Sequence, residues 1–190
     1  MKPTEEVLLE SALSIFSAKG YHSTRVSDIV QNSNLSQGTF YLYFTSKEDI
    51  FIRLIEAFLT DIVAEIEKLS AELAQLEPSS RFKQMIQNGL RIFCEHQEVA
   101  KLTMNFKHET DQIKLACLRY DDAIREYIRA NIQHFEPYIS MTEEQLDMAT
   151  FSMYAMIQHL AYEWFIVRKA DEGYIERLAD VLIMMILQNK

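Results

Sequence analysis

Four glycines and three prolines are all the Gly and Pro that this 190-residue chain contains. So few breakers point to long helices joined by short turns, because strand reversals draw heavily on Gly, Pro and left-handed turn residues. Strand-like alternation is nowhere sustained, and no repeat or low-complexity tract occurs. Apolar residues recur at helical spacing instead, as in Leu8, Ala12, Ile15 and Phe16. The fold class expected is all-α, with nine helices.

The first helix is expected after a Thr4 cap, with Glu5 and Glu6 in its first turn and Gly20 as its left-handed stop. A short helix, Arg25 to Asn32, follows Ser23-Thr24. Ser33-Asn34 makes a tight break, and Ser36 caps a third helix through Phe44. Ser46-Lys47-Glu48-Asp49 resembles a capping box opening a long helix. Its apolar positions run from Ile50 to Leu76, roughly 45 Å at helical rise, and Pro78 is expected to end it. Beyond it, helices are expected from Phe82 to His96, Val99 to Phe106 and Asp111 to Phe135. The capping box Thr142-Glu143-Glu144-Gln145 opens another through Arg168, and Tyr174 to Leu187 forms the last.

Charge first argues against nucleic acid. Lys and Arg number 19 against 28 Asp and Glu, a formal net charge of -9, whereas phosphate contacts need cations. The imbalance is uneven along the chain. Residues 1–53 carry 5 basic and 6 acidic side chains, and the remainder carries 14 and 22. The acidity belongs almost wholly to the larger C-terminal part.

Other classes are excluded more directly. Cys94 and Cys117 are too few and too far apart for a disulfide framework or a zinc site, and read as buried small hydrophobes of a reduced protein. The N-terminal run has no apolar signal-peptide core, and the best uncharged apolar run, Val181 to Leu187, is too short for a membrane span. A cytoplasmic protein with no membrane segment is expected. None of His22, His96, His108, His134 and His159 has Glu three residues before it, and no Gly-rich phosphate loop or nucleophile elbow occurs. No enzyme, metal or cofactor is expected.

The informative stretch is residues 1–53. Two short helices separated by so tight a turn have the form of a helix-turn-helix, whose second helix enters the major groove. Ser36, Gln37, Gly38 and Thr39 fill the first turn of that helix with small or hydrogen-bonding groups. Gln37 suits adenine, Thr39 offers a hydroxyl and a methyl, and Gly38 permits close approach. Tyr41, Tyr43 and Lys47 lie where phosphates would pass, and Arg25 stands at the opposite edge. Taken alone, a short Ser/Gly/Thr-rich helix is as often an ordinary connector.

Here the chain resembles a known family. The run Gly20-Tyr21-His22-Ser23-Thr24-Arg25-Val26-Ser27-Asp28-Ile29-Val30 is similar to the TetR-family signature around helix two. The run from Leu35 to Phe44, followed by Ser46-Lys47-Glu48-Asp49-Ile50-Phe51, resembles its recognition helix and the start of helix four. The resemblance implies a nine-helix TetR-like fold with a DNA-binding domain at 1–53 and a ligand-binding and dimerisation domain at 54–190. It implies phosphate contacts from Thr24, Tyr41, Tyr43 and Lys47, and groove contacts from Gln37, Gly38 and Thr39. Gln37, Leu42 and Arg25 depart from the residue types common in the family, which puts the operator sequence beyond reach.

TetR-like proteins are homodimers through their last two helices, and the local pattern agrees. Leu146, Met153, Ile157 and Leu160 form one stripe of helix eight; Phe151, Ala155, Tyr162 and Ile166 form another. The last helix is apolar nearly all round, so either a second chain covers it or it lies inside a monomer. The family usually binds a small molecule among the middle helices. The apolar lining expected here is Phe93, Met104, Phe106, Tyr120, Tyr127, Met153, Tyr154 and Ile157, with Arg119, Gln158 and His159 as polar contacts. Each is more often plain core, and only a minority should touch a ligand. Such a lining suits an apolar or aromatic effector. The implied function is a ligand-responsive repressor of a double-stranded DNA operator. The rival is a helical interaction or ligand-binding module without DNA binding.

Overall fold

The computed structural model describes residues 2–106 and 108–187, and among these are nine α-helices and no strand. They are α1 (Thr4–Lys19), α2 (Val26–Ser33), α3 (Gln37–Tyr43), α4 (Lys47–Leu73), α5 (Pro78–Glu95), α6 (Gln97–Phe106), α7 (Asp111–Ile132), α8 (Glu143–Ala161) and α9 (Tyr174–Leu187). None is long and apolar enough to cross a membrane.

The chain forms two compact units. The first joins the chain up to Thr60 with Glu98–Tyr120; the second joins Asp61–Gln97 with the chain from Asp121 onward. Chain order and spatial grouping therefore differ: α6 and the first half of α7 belong with the N-terminal helices.

In the first unit, α1 packs on α2 and α2 on α3. Leu8, Ala12, Phe16, Ile29, Phe40, Phe44, Ile50 and Phe51 are almost fully buried. An aromatic cluster ties the element ends together. Phe51 stands edge-on to Phe16 and to Tyr21, with centroids 5.1 Å away in both cases, and edge-on to Phe106 at 6.1 Å. Aromatic edge-to-face pairs add to the stabilisation from burial alone.

In the second unit, α8 and α9 both pack on α5. Gly89 of α5 makes the α8 contact close: a Cβ there would sit 3.4 Å from Ile157 Cγ2. Met85, Ile86 and Leu90 of α5 are buried, as are Leu146, Met153 and Ile157 of α8 and Leu178 and Leu182 of α9.

Several boundaries differ from expectation, each for a local reason. Pro3, not Thr4, precedes α1, and makes no side-chain cap bond. α4 ends at Leu73 rather than Leu76. Pro78, expected as a terminator, instead opens α5, where its missing N–H costs nothing. α7 stops at Ile132 rather than Phe135, and a 3-10 turn follows at Tyr138–Ser140. The Thr142–Gln145 capping box is formed in both directions. α8 gives way to a π-helical stretch at Tyr162–Val167, closed by the bond from the Arg168 N–H to the Glu163 carbonyl. Lys169, in the left-handed region at φ 56°, then turns the chain before Gly173 is reached.

Candidate functional site

The turn between α2 and α3 is built from three residues, Asn34, Leu35 and Ser36. Asn34 takes the left-handed conformation at φ 57°, which a short amide side chain tolerates better than most. The Leu35 N–H then bonds back to the Val30 carbonyl. Ser36 is extended, and its Oγ accepts from the Thr39 N–H at 3.0 Å. α3 therefore starts where the sequence places its cap.

α3 is held from behind by Phe40, which is fully buried, while its other side is open. Gln37 and Gly38 are exposed and Thr39 is half-buried, its hydroxyl 2.9 Å from Ser36 Oγ. Tyr41 and Tyr43 are exposed despite their apolar rings, and Leu42 between them is 82 % exposed. Leu42 was not among the expected contact residues. Its signal is positional: within one short helix, Phe40 takes the core side and leaves its neighbours outside. Nothing in the fold requires glycine at 38, because an added Cβ would meet only Ser36 Oγ at an ordinary 3.6 Å.

The remaining residues are placed less simply. Thr24 is buried, and its hydroxyl donates to the Gly20 carbonyl at 2.7 Å. Arg25 is exposed, while its backbone N–H donates to the Asp28 carboxylate. That bond, with the Lys19 ammonium 3.0 Å away, holds the Asp28 carboxyl below its ordinary range. Lys47 starts α4 as expected, but its ammonium folds back to the Tyr21 carbonyl at 2.7 Å and lies 4.3 Å from the Tyr21 ring centroid. Asp49 receives the N–H and hydroxyl of Thr45, and its own N–H donates to Ser46 Oγ. In this head Lys2, Lys19 and Arg53 are paired with carboxylates. Among the described residues Arg25 and Lys47 form no ion pair.

The expected effector residues fall in both units. In the first, Phe106 joins the aromatic cluster with Tyr21 and Phe51, Met104 is half-buried and Tyr120 is buried. Arg119 is exposed and sits 3.7 Å from Glu56. In the second, Phe93, Tyr127, Met153, Tyr154 and Ile157 are buried, with Gln158 half-buried. Polar bonds thread this core. Tyr154 donates to the Asp121 carboxylate at 2.6 Å and receives the Gln158 amide at 2.7 Å. Buried Asn88 donates to the Tyr127 hydroxyl at 3.2 Å.

Burial pushes the Tyr127 phenol up to about 12, with a smaller opposing effect from the Asn88 bond. The sign follows from the two states. Below pH 10 the phenol is neutral both folded and unfolded, and its contribution is complete. Between about 10 and 12 only the unfolded chain ionises, so stability falls by about 1.4 kcal/mol per pH unit. Tyr127→Phe is expected to melt slightly lower than wild type at pH 8, having lost the Asn88 bond, yet to decline less steeply above pH 10. Parallel slopes in thermal melts across that range would refute the assignment.

Residues 8–54 match the profile of bacterial regulatory proteins of the tetR family. The HTH-type transcriptional regulator YdgC of Bacillus subtilis (strain 168), itself uncharacterized, is 27% identical over 183 residues, covering 94% of this chain and 89% of that protein. YuxN of the same organism, also an uncharacterized HTH-type transcriptional regulator, is 25% identical over 126 residues, 66% of this chain but only 40% of YuxN. In fold, the chain is similar to the transcriptional regulator FadR of Bacillus subtilis solved in complex with stearoyl-CoA. The TM-score is 0.74 at 15% identity, covering 93% of this chain and 96% of that one.

Proposed function

We propose that this chain is a transcriptional regulator of the TetR type that represses transcription by binding a pseudo-palindromic operator as a homodimer. The observation that carries the reading is the outer side of α3. Gln37, Gly38, Tyr41, Leu42 and Tyr43 stand exposed on a helix anchored by fully buried Phe40. Gln37 and Thr39 read base edges, and Gly38 lets the backbone approach the groove, which explains a glycine that packing does not need. Leu42 suits apolar contact with a thymine methyl. Tyr41, Tyr43, Arg25 and Lys47 position these residues on phosphates, Lys47 by swinging from Tyr21, while the expected phosphate contact of Thr24 gives way to bracing the α1–α2 turn, because its side chain is buried against the Gly20 carbonyl. Residues 1–53 act as the DNA-binding domain and 54–190 as the effector and dimer domain of a cytoplasmic protein.

Dimerisation through α8 and α9 is supported by their outward apolar residues. Met148 and Phe151 on α8, and Val181, Met184 and Met185 on α9, are each exposed by 46 % to 60 %. Large apolar side chains left exposed on two helices that both pack on α5 favour cover by a second copy. A small apolar or aromatic effector, contacting Phe93, Tyr127, Met153, Tyr154, Ile157 and Gln158, releases the operator. The stearoyl-CoA of the FadR complex makes a long acyl chain the first compound to try.

Selection of bound fragments from the source genome, followed by footprinting, tests the reading. Two protected half-sites about 34 to 36 Å apart are expected. No selectable fragment, with a monomer in solution, would favour the interaction-module alternative. Salt dependence gives a second check. With Arg25 and Lys47 as the unpaired cations of each head, a dimer neutralises about four phosphates, and the slope of log K against log salt should be about -4 or shallower. A slope on the order of -10 would contradict this distribution of charge.

A further inference from the structure

Within the second unit, three side chains outside the DNA-reading and effector groups converge on one point. Glu65 comes from α4, Glu95 is the last residue of α5, and His96 follows it. One carboxylate oxygen from each glutamate and one ring nitrogen of the histidine all lie within 4.8 Å of one another. His96 Nε2 and Glu65 Oε2 are 3.3 Å apart. Metal–ligand bonds of about 2.1 Å put adjacent donor atoms roughly 3 to 3.5 Å apart, so this pair already has the required spacing.

The surroundings favour a cation. Among the described residues neither Glu65 nor Glu95 is ion-paired with a Lys or Arg. The Glu65 side chain is only 27% exposed, so its negative charge is incompletely screened by water. The site also lies at the C-terminal end of α5, where the helix dipole favours positive charge.

We propose that Glu65, Glu95 and His96 form a binding site for a divalent first-row transition-metal ion, held by two carboxylate oxygens and one imidazole nitrogen. That donor set suits zinc, cobalt, manganese or iron, and supplies too few oxygens for calcium. Three protein ligands leave coordination positions for water. The ion cross-links α4 to the end of α5. Glu65 lies just past the point where α4 enters the second unit at Asp61, and His96 just before the chain leaves it after Gln97. A bound ion therefore stiffens the two stretches of chain adjoining these crossings.

The test uses the full chain, stripped with chelator and titrated with Co²⁺ followed by visible absorption, then with Zn²⁺ by calorimetry. One ion per chain is expected, with a rise in melting temperature. Glu95→Gln and His96→Ala should each weaken binding at least about tenfold and remove the melting shift. Glu95 is exposed, so its variant keeps the fold even where His96→Ala perturbs the α5–α6 junction. The site is ruled out if the wild-type chain binds neither ion at millimolar concentration. It is equally ruled out if Glu95→Gln and His96→Ala, folded by circular dichroism, bind with unchanged stoichiometry and affinity.

Discussion

Gln37→Ala should weaken operator binding by roughly 5- to 150-fold, the range that loss of a bidentate base contact spans. The loss should be uneven across operator variants, largest where adenine faces the side chain. Gln37 is exposed on the first turn of α3 and, among the described residues, makes no side-chain bond. Thermal stability should therefore stay within about 0.5 kcal/mol of wild type. Tyr43→Ala supplies the contrast. A phosphate-positioning residue carries no sequence information, so its loss should lower affinity for all DNA about equally. Titrations of the selected operator and of a scrambled duplex, each with both variants, separate the two roles. Equal loss on both duplexes for Gln37→Ala would remove it from base reading.

Phe51→Ala should be among the most destabilising single changes in the N-terminal unit. Phe51 is fully buried and edge-on to Phe16, Tyr21 and Phe106. Truncating such a ring costs about 3 to 5 kcal/mol, partly transfer and partly cavity. In a chain of this size each kcal/mol shifts the melting temperature by about 2 to 4 °C, so a fall on the order of 10 °C is expected. Operator binding should fail with it, because the same cluster includes Tyr21, whose carbonyl and ring receive Lys47. Phe51→Leu keeps most of the volume and should retain a measurable share of both properties. A fall of less than about 1 kcal/mol for Phe51→Ala would mean the cluster is not a core.

What was legible in the sequence was local. The Ser36 cap, the Asn34 break, the Thr142–Gln145 capping box and the Gly20 stop at φ 77° all stand where residue type and spacing place them. Each depends on atoms no more than about four residues apart, and the hydrogen-bonding chemistry is explicit in the side chains. Pro78 carries an ambiguous signal because proline both ends helices and starts them. At the first position its missing N–H is no loss, and only the observed course of the chain shows which role it takes. The π-helical stretch after α8 left no mark either, since Tyr162 to Val167 keep an apolar pattern that any helix could use.

By itself, then, the sequence determined the helical class, most helix starts, and an α3 whose first turn is suited to reading bases. Those features follow from backbone propensity, capping and periodic burial, which act over a turn or two of chain. The tertiary structure decided which faces meet. Phe106, read as effector lining, closes the aromatic cluster around Phe51. Lys47, placed on phosphate, rests against Tyr21, and Glu65 comes beside His96 from a different helix. Contacts between residues this far apart depend on packing and loop closure across whole elements, and no short run of residues encodes that geometry.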